Sequence, residues 1–325
     1  MKEETFPFLI IFLTAYFFGF WVFIFTSLLL TIYLLWKKRK WIYMGIFILS
    51  LLYWIFPILG VASIVLLLVL LEKDNFYRIS YFLGSLFLIF IIFPILNLLL
   101  HASPDVLKDL SLLHAIGVSF LAATVATLIA TVFSLPLGYV LARKDFPGKD
   151  IVESIIDMPI VIPHTVAGIL MLLVFGSTGI WGEPLEALGI RFYYALPGII
   201  VAMLFVSAPF MINQVREGIS KVDERYEYTA MTLGAGRWRV FTDIILPQIV
   251  GNIISGAINT WARAVSEFGA VIMIAFYPMI APTYIYYLYT NFGLKTALPA
   301  TAFLLLITLA IFFGVRFIGR RFKNA

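Results

Sequence analysis

Two charged residues stand out in an otherwise apolar stretch near the C-terminal end of the sequence. Arg263 and Glu267 are four residues apart in WARAVSEFGA, so they would share one face of a helix. Two interpretations are open: an internal ion pair, or an arginine that serves a passing anion, because charges in apolar surroundings usually face a cavity or a partner. Asn252, Asn259 and Ser266 add amides and a hydroxyl along the same segment. Such groups suit an oxyanion that is passed on rather than tightly held.

A second candidate site surrounds a histidine in the stretch MPIVIPHTVAG. Pro159 and Pro163 each remove an amide donor and crowd the carbonyl one turn earlier, so a helix should bend or break there. Backbone groups freed inside a membrane are tolerated where they meet protein or a water-filled path, and broken helices recur in transporters. We therefore favour a translocation pathway that includes Pro159, Pro163, His164 and Thr165. A simple packing kink is the alternative, and for His164 itself a packing role is at least as common.

Motifs that carry enzymatic chemistry are nearly absent from the sequence. We find no phosphate-binding GxxxxGK[ST], no HExxH and no GxSxG. The chain has 0 Cys, which excludes disulfides, thiolate metal sites and a cysteine nucleophile. A membrane-embedded enzyme of lipid chemistry would need acidic metal-binding clusters, and Asp105, Asp109, Asp145 and Asp150 do not form such a set. We expect no enzyme activity, no metal and no cofactor in this chain.

Composition shows what kind of element must hold these residues. The 325 residues are 62% hydrophobic and only 13% charged, and their mean hydropathy is +1.02. Soluble domains contain about 25% charged residues, so we predict an all-α integral membrane protein. The net charge of +5 fits the basic cytosolic loops of a membrane protein better than nucleic-acid binding. The N-terminus, MKEETF, lacks the basic region of a cleavable signal.

The apolar segments divide the C-terminal part of the chain into spans of about 20 residues or more, each long enough to cross a bilayer. We predict six core spans: 79–100, 114–142, 151–175 (broken by its two prolines), 195–218, 244–276 and 297–318. Polar or turn-rich loops at 101–113, 143–150 and 176–194, and a loop with Pro278 and Pro282, separate them.

Basic residues in the loops predict the orientation of these spans. One side has only Lys108, Arg191 and Lys295. The other side, which we take as cytosolic, also holds the C-terminus. Its basic residues are Arg143, Lys144, Lys149, Arg216, Lys221, Arg225, Arg237, Arg239, Arg316, Arg320, Arg321 and Lys323.

The N-terminal part, residues 1–78, carries extra apolar segments at 6–36 and 41–71. If each crosses the membrane once, the basic run at 37–40 falls outside, against the usual bias. If 41–71 is a hairpin, the basic run stays inside, but each arm has only about 15 residues, which is short for a crossing. We favour two single crossings and assign these segments no function.

A polar interruption, EYTAMTLGAGRWRVFTDIILPQ (227–248), follows the fourth span. A membrane protein rarely spends about 20 residues on a cytosolic excursion unless a partner docks there. Gly234 would permit a sharp turn, and Leu233 and Trp238 would offer apolar anchors to a groove. A passive channel or an ion-driven carrier would not need such a segment.

Together these motifs resemble the permease subunit of a binding-protein-dependent ABC importer, in the molybdate/tungstate group with sulfate permeases as close relatives. The resemblance covers about residues 79–323 and rests on LPLGYVLARKDFPGK, MPIVIPHTVAG, LVFGSTGIWG, TLGAGRWRVFTDIILP and WARAVSEFGA in this order. In the family's "EAA" loop, Ala230, Gly234, Leu246 and Pro247 match. Tyr228 and Thr229 stand where Glu and Ala are usual, and Glu227 is one place early, which leaves the details of docking open.

The resemblance implies a type I importer fold in the cell membrane, with two copies of the chain forming the membrane domain. A coupling helix, about 225–238, would dock on an ABC ATPase dimer that binds ATP and Mg²⁺, and an external binding protein would deliver the oxyanion, in part through 176–194. The stretch PHTVAG favours tungstate or molybdate, with sulfate or thiosulfate as the alternative. The residues assigned to ATPase coupling are Glu227, Ala230, Leu233, Gly234, Ala235, Trp238 and Pro247.

Overall fold

The computed structural model describes residues 74–323, and the extra segments predicted at 6–36 and 41–71 lie outside these residues. The described part is helical and contains no strand. The chain divides between residues 97 and 98 into two compact units. Helix α1 (Asn75–Leu99) lies almost wholly in the first, and all other helices lie in the second. The division predicted at 78/79, which counted α1 with the core, stays a prediction.

The second unit begins with a 3-10 turn, Pro104–Lys108, whose following residue, Asp109, caps the first long helix. Its carboxylate accepts the amide hydrogens of Ser111 and Leu112, two of the donors that a helix start leaves unpaired. The helices are α2 (Leu110–Arg143), α3 (Lys149–Val161), α4 (His164–Phe175), α5 (Gly182–Ala187), α6 (Leu196–Ser220), α7 (Glu224–Thr232), α8 (Arg237–Val240), α9 (Leu246–Val265), α10 (Gly269–Ile274), α11 (Ala281–Phe292) and α12 (Leu294–Lys323). A π-helical turn, Phe241–Ile245, joins α8 to α9.

The lengths and hydropathy of these helices agree with a multi-span membrane protein. Five helical stretches of the described residues are long and apolar enough to cross a membrane, and the number is six if α3 and α4, bent by 113° at their break, count as one span. Exposed apolar side chains such as Leu128, Val132 and Phe133 of α2 face outward, as expected for contact with lipid.

The structure corrects the fifth span and the loop after it. The span ends at Val265 rather than at residue 276, and the separate short helix α10 begins at Gly269, where the Glu267 side chain accepts the amide hydrogen of Ala270, one of the donors that a helix start leaves unpaired. The predicted loop with Pro278 and Pro282 contains α11. Pro282 lies in the first turn of α11, where its missing amide hydrogen has no helical acceptor in any case.

Helices α2, α6 and α9 pack against one another and form the centre of the second unit. Ala122, Ala123 and Ala126 of α2 are fully buried there. Small side chains allow helix backbones to approach closely. In a membrane the hydrophobic effect does not drive helices together, because lipid tails are as apolar as the side chains, so close packing stabilises the bundle. This bundle is the rigid frame on which the two candidate sites are built.

Candidate functional site

The first site lies at the bend between α3 and α4, which the sequence predicted. Pro163 precedes α4, and Ile162 before it is extended, with ψ of 144°. A proline disfavours helical geometry in the residue before it, so Pro163 causes the break. Pro159 is buried within α3, which continues past it to Val161. Only one of the two prolines therefore ends a helix.

Glycines bring the start of α4 against the start of α10. A β-carbon on Gly168 would lie 2.7 Å from the carbonyl oxygen of Ala270, and one on Gly269 would lie 2.6 Å from Cβ of His164. Both distances are shorter than real β-carbon contacts, so the two backbones approach in a way that side chains would prevent. As a result, His164 lies beside the end of α9, where Arg263 and Glu267 lie.

The three charged or titratable side chains predicted as pathway residues form one cluster. Arg263 Nη2 donates to Glu267 Oε2 at 2.7 Å, and His164 Nδ1 lies 3.3 Å from the same oxygen. Arg263 Nη2 is also 3.0 Å from the His164 ring nitrogens. Exposure of the side chains differs: 1% for Glu267, 21% for Arg263 and 47% for His164. The carboxylate is thus the buried anchor, and the two basic groups face outward.

The remaining predicted pathway residues lie around this cluster or along α9. Thr165 and Ser266 are exposed, and Ser266 Oγ accepts a hydrogen bond from Arg263 Nη1 at 3.3 Å. Asn259 is exposed, and Asn252 is half-buried toward the start of α9. Spacings of seven, four and three residues place Asn252, Asn259, Arg263 and Ser266 on one face of α9. The structure therefore brings four of the predicted residues into contact, His164, Arg263, Ser266 and Glu267, and leaves the two amides further along α9.

Two polar contacts between α3 and α6 escaped the sequence analysis. Asn213 Nδ2 donates to Asp157 Oδ1 at 2.7 Å, and Arg216 Nη1 lies 2.6 Å from Glu153 Oε2. Glu153 and Asp157 are four residues apart, and Asn213 and Arg216 are three apart, so each pair shares a helix face. That spacing of polar residues in two apolar segments was a usable signal. No three His, Asp or Glu side chains within residues 74–323 come together so as to hold a metal ion.

The second site is the polar segment, residues 224–240, which comprises α7, a turn and α8. The turn has the hydrogen bonds of a Schellman motif: Ala235 N donates to Ala230 O, and Gly234 N donates to Met231 O, both at 3.0 Å. Gly234 has φ of +87°, which side chains disfavour. Leu233, 84% exposed, projects from this turn.

Other predicted coupling residues differ in what they present to solvent. Trp238 is 79% exposed, whereas Ala230 and Ala235 pack against the buried core near α2 and α6. Glu227 is buried, because it pairs with Arg143 of α2, so it holds the polar segment in place rather than offering a charge outward. Pro247 lies in the first turn of α9, beyond the polar segment, where it lines an open cleft of about 380 Å³ between α6 and α9.

Comparison with known proteins gives consistent findings. The family model described as "Binding-protein-dependent transport system inner membrane component" matches residues 134–324. The chain is 44% identical over 249 residues to the molybdate/tungstate transport system permease protein WtpB of Thermococcus kodakarensis, a match that covers 75% of this chain and 95% of that protein. It is 32% identical over 239 residues to the probable sulfate transport system permease protein cysT of Chlorokybus atmophyticus, covering 70% of this chain and 84% of that protein.

Among solved structures, the chain is similar to a membrane protein of the crystal structure of a bacterial ABC transporter involved in the import of the acidic polysaccharide alginate. The TM-score is 0.62 at 20% identity, and the match covers 76% of this chain and 95% of that one. Likeness at this identity shows the fold, which is that of an ABC importer's transmembrane domain.

Proposed function

Because the chain belongs to the family of binding-protein-dependent transport system inner membrane components, we propose that it is the permease subunit of an ATP-driven importer of molybdate and tungstate. The assignment of molybdate and tungstate as substrates rests on the 44% identity to a molybdate/tungstate permease, and the match covers 95% of that protein. Sulfate is the second candidate, and the more distant resemblance to a sulfate permease, at 32% identity, favours it over other anions.

The polar segment is the part of the chain that we assign to coupling with an ATPase. Leu233 and Trp238 project from a segment whose other exposed residues are mostly polar. Large apolar side chains that fill a partner's pocket contribute most of the binding energy in many interfaces. The ATPase subunits would bind ATP and Mg²⁺, and this chain would hold neither. The basic residues near this segment favour a cytosolic position for it and for the C-terminus.

We place the oxyanion's path at the break between α3 and α4. Molybdate and tungstate are tetrahedral dianions, and charge-assisted hydrogen bonds from arginine suit their oxygens. Arg263 is 21% exposed, and its Nη1 lies 3.3 Å from the hydroxyl oxygen of Ser266. Glu267 neutralises much of the charge of Arg263, so the anion would be held loosely enough to leave. The amides along α9 would continue the path.

Two copies of the chain and an external binding protein would complete the importer. An assembly of this kind can be tested directly in proteoliposomes with the presumed ATPase and binding protein, by measuring uptake of labelled tungstate with and without internal ATP. ATP-dependent uptake that resists excess sulfate would support both the mechanism and the substrate. Uptake abolished by sulfate would move the substrate to sulfate, and uptake that ignores ATP would contradict the coupling role of the polar segment.

A further inference from the structure

A buried ionic cluster joins the polar segment to the last turn of α2. Arg143 Nε lies 2.5 Å from Glu227 Oε1, and the two side chains are each 7% exposed. Tyr139, one turn earlier on α2, donates its hydroxyl hydrogen to Glu227 Oε2 at 3.0 Å. Neither the transport path nor the docking of an ATPase explains why the two charged side chains are buried against the partly buried Tyr139.

The end of α2 contacts the polar segment and the residues just before and just after it. Arg143 Nη2 donates to the carbonyl oxygen of Val222 at 2.7 Å, just before the segment begins. Arg143 and Tyr139 both bind Glu227 within it. The Tyr139 ring then meets the Phe241 ring edge-on just after the segment ends, with ring centroids 5.6 Å apart. Two residues of α2 therefore hold one residue inside the polar segment and the two residues that flank it on either side.

Burial makes this connection stiff. Removing one partner of a buried ion pair leaves an uncompensated charge away from water, which is far costlier than losing an exposed pair. The nearby pair of Lys221 and Glu217 is of the exposed kind, with side chains 65% and 55% exposed. The polar segment cannot slide along α2 without breaking the pair of Arg143 and Glu227.

We propose that Arg143 and Glu227 are positioning residues that clamp the polar segment to α2, so that the two move as one body when an ATPase pushes the segment. This inference rests on the proposed function. Without the clamp, the push would reach the bundle through the chain connections to α6 and α9 and through the packing of Ala230 and Ala235, and part of it would be lost in local bending.

The opposite half of α2 has contacts that could carry the movement onward. Ser119 Oγ accepts the amide hydrogen of Ala281, and Asp109 Oδ2 accepts the hydroxyl hydrogen of Tyr284, at 2.7 and 2.8 Å. Both partners belong to α11. An α-helix rises about 1.5 Å per residue, so the 34 residues of α2 connect the polar segment with α11 over about 50 Å.

A spin-label distance measurement tests the clamp in the full chain without relying on transport. The sequence has 0 Cys, so labels at Leu233→Cys and Val140→Cys, both at exposed positions, would be the only ones. We expect a narrow distance distribution that broadens or shifts in Glu227→Gln and in Arg143→Gln. Glu217→Gln, which breaks an exposed pair, is the matched control and should change nothing. Distributions that stay narrow and unshifted in both clamp variants would overturn the proposal.

The functional test is the amount of tungstate imported per ATP hydrolysed in proteoliposomes. We expect Glu227→Gln to keep ATP hydrolysis and to lower this ratio about tenfold, within the range of about 5- to 150-fold that coupling free energies span. The double variant Arg143→Gln/Glu227→Gln should be no worse than either single one, because the same interaction is removed. Additive losses would show that the residues act independently and would reject the clamp.

A milder variant keeps the test valid if Glu227→Gln fails to fold. Tyr139→Phe removes one hydrogen bond to Glu227 and keeps the ring contact with Phe241, so it should lower the amount of tungstate imported per ATP less than Glu227→Gln does. A Tyr139→Phe ratio as low as that of Glu227→Gln would contradict the charge pair as the main contact. If the unaltered chain lacks ATP-dependent uptake, the proposed function fails, whereas the label distances still decide whether the clamp exists.

Discussion

The turn after α7 makes a prediction about a single glycine that can be worked out in numbers. Gly234 has φ of +87°, and a β-carbon built on it would meet no atom within 4 Å. Gly234→Ala therefore creates no clash, and its effect comes from the backbone alone. A left-handed conformation costs a non-glycine residue roughly 1–2 kcal/mol. Replacing glycine by alanine also restricts the unfolded chain, which offsets about 0.4–1 kcal/mol of that cost.

The same turn contains a matched control. Gly236 has φ of −68° and equally open surroundings, so alanine fits its conformation without strain. Gly236→Ala should be neutral or stabilise the turn by up to about 1 kcal/mol. Because the unfolded-chain effect is shared by both variants, the difference between them isolates the left-handed penalty, about 1–2 kcal/mol. Gly234→Asn should fall between the two, since asparagine tolerates this region better than alanine.

Hydrogen–deuterium exchange of the amides that close the turn measures this difference. Gly234 N and Ala235 N donate the two bonds of the Schellman motif. A penalty of about 1–2 kcal/mol corresponds to roughly 5- to 30-fold faster exchange in Gly234→Ala than in Gly236→Ala. Equal exchange in the two variants would refute the argument that glycine is required by its backbone angle.

The bulkier Gly234→Trp should in addition uncouple ATP hydrolysis from uptake while the spans stay folded, and normal transport by this variant would contradict the coupling role.

Further predictions concern the other features of the two sites. Trp238→Ala should weaken binding of the ATPase by about 2 kcal/mol, roughly 30-fold, whereas Trp181→Ala, at an exposed tryptophan outside the polar segment, should leave binding unchanged in a titration of the purified chain. Arg263→Gln should lower tungstate uptake about tenfold with ATP hydrolysis intact, because a charge-assisted hydrogen bond is lost; uptake at the normal rate would remove Arg263 from the path. Gly168→Ala should cost about 1–3 kcal/mol by overpacking α4 on α10, measured as a lower melting temperature, whereas Gly117→Ala, in open space, should not destabilise the chain.

The spans and the break in the third span could be predicted because their causes are local. An apolar run of membrane length and a proline that restricts the residue before it act within a few positions of the chain. The turn at Gly234 belongs to the same class, since the spacing of apolar and small residues specifies a helix end. The end of the fifth span was predicted wrongly, because residues 244–276 read as one apolar run, whereas the helix ends at Val265 and a separate helix, α10, begins at Gly269.

The partner of Glu227 shows why part of the site could not be predicted. Arg143 lies 84 residues earlier in the sequence, and both residues stand in segments that carry several other charges. Nothing in the spacing of one charge points to the other across that distance. The resemblance implied that Glu227 is a coupling residue. In the structure its side chain is buried and contacts Arg143 of the same chain.

The cluster at the helix break combines the two interpretations that the sequence left open. Arg263 and Glu267 do form an internal ion pair, yet only the carboxylate is fully buried. A pair that merely stabilised α9 would not need His164 on the same carboxylate oxygen or a guanidinium that stays partly exposed. Glu267 holds Arg263 and His164 side by side and leaves their outward faces to other partners. Under the proposed function, an anion at this point would meet a guanidinium whose charge Glu267 already partly compensates, which would favour brief contact over tight binding.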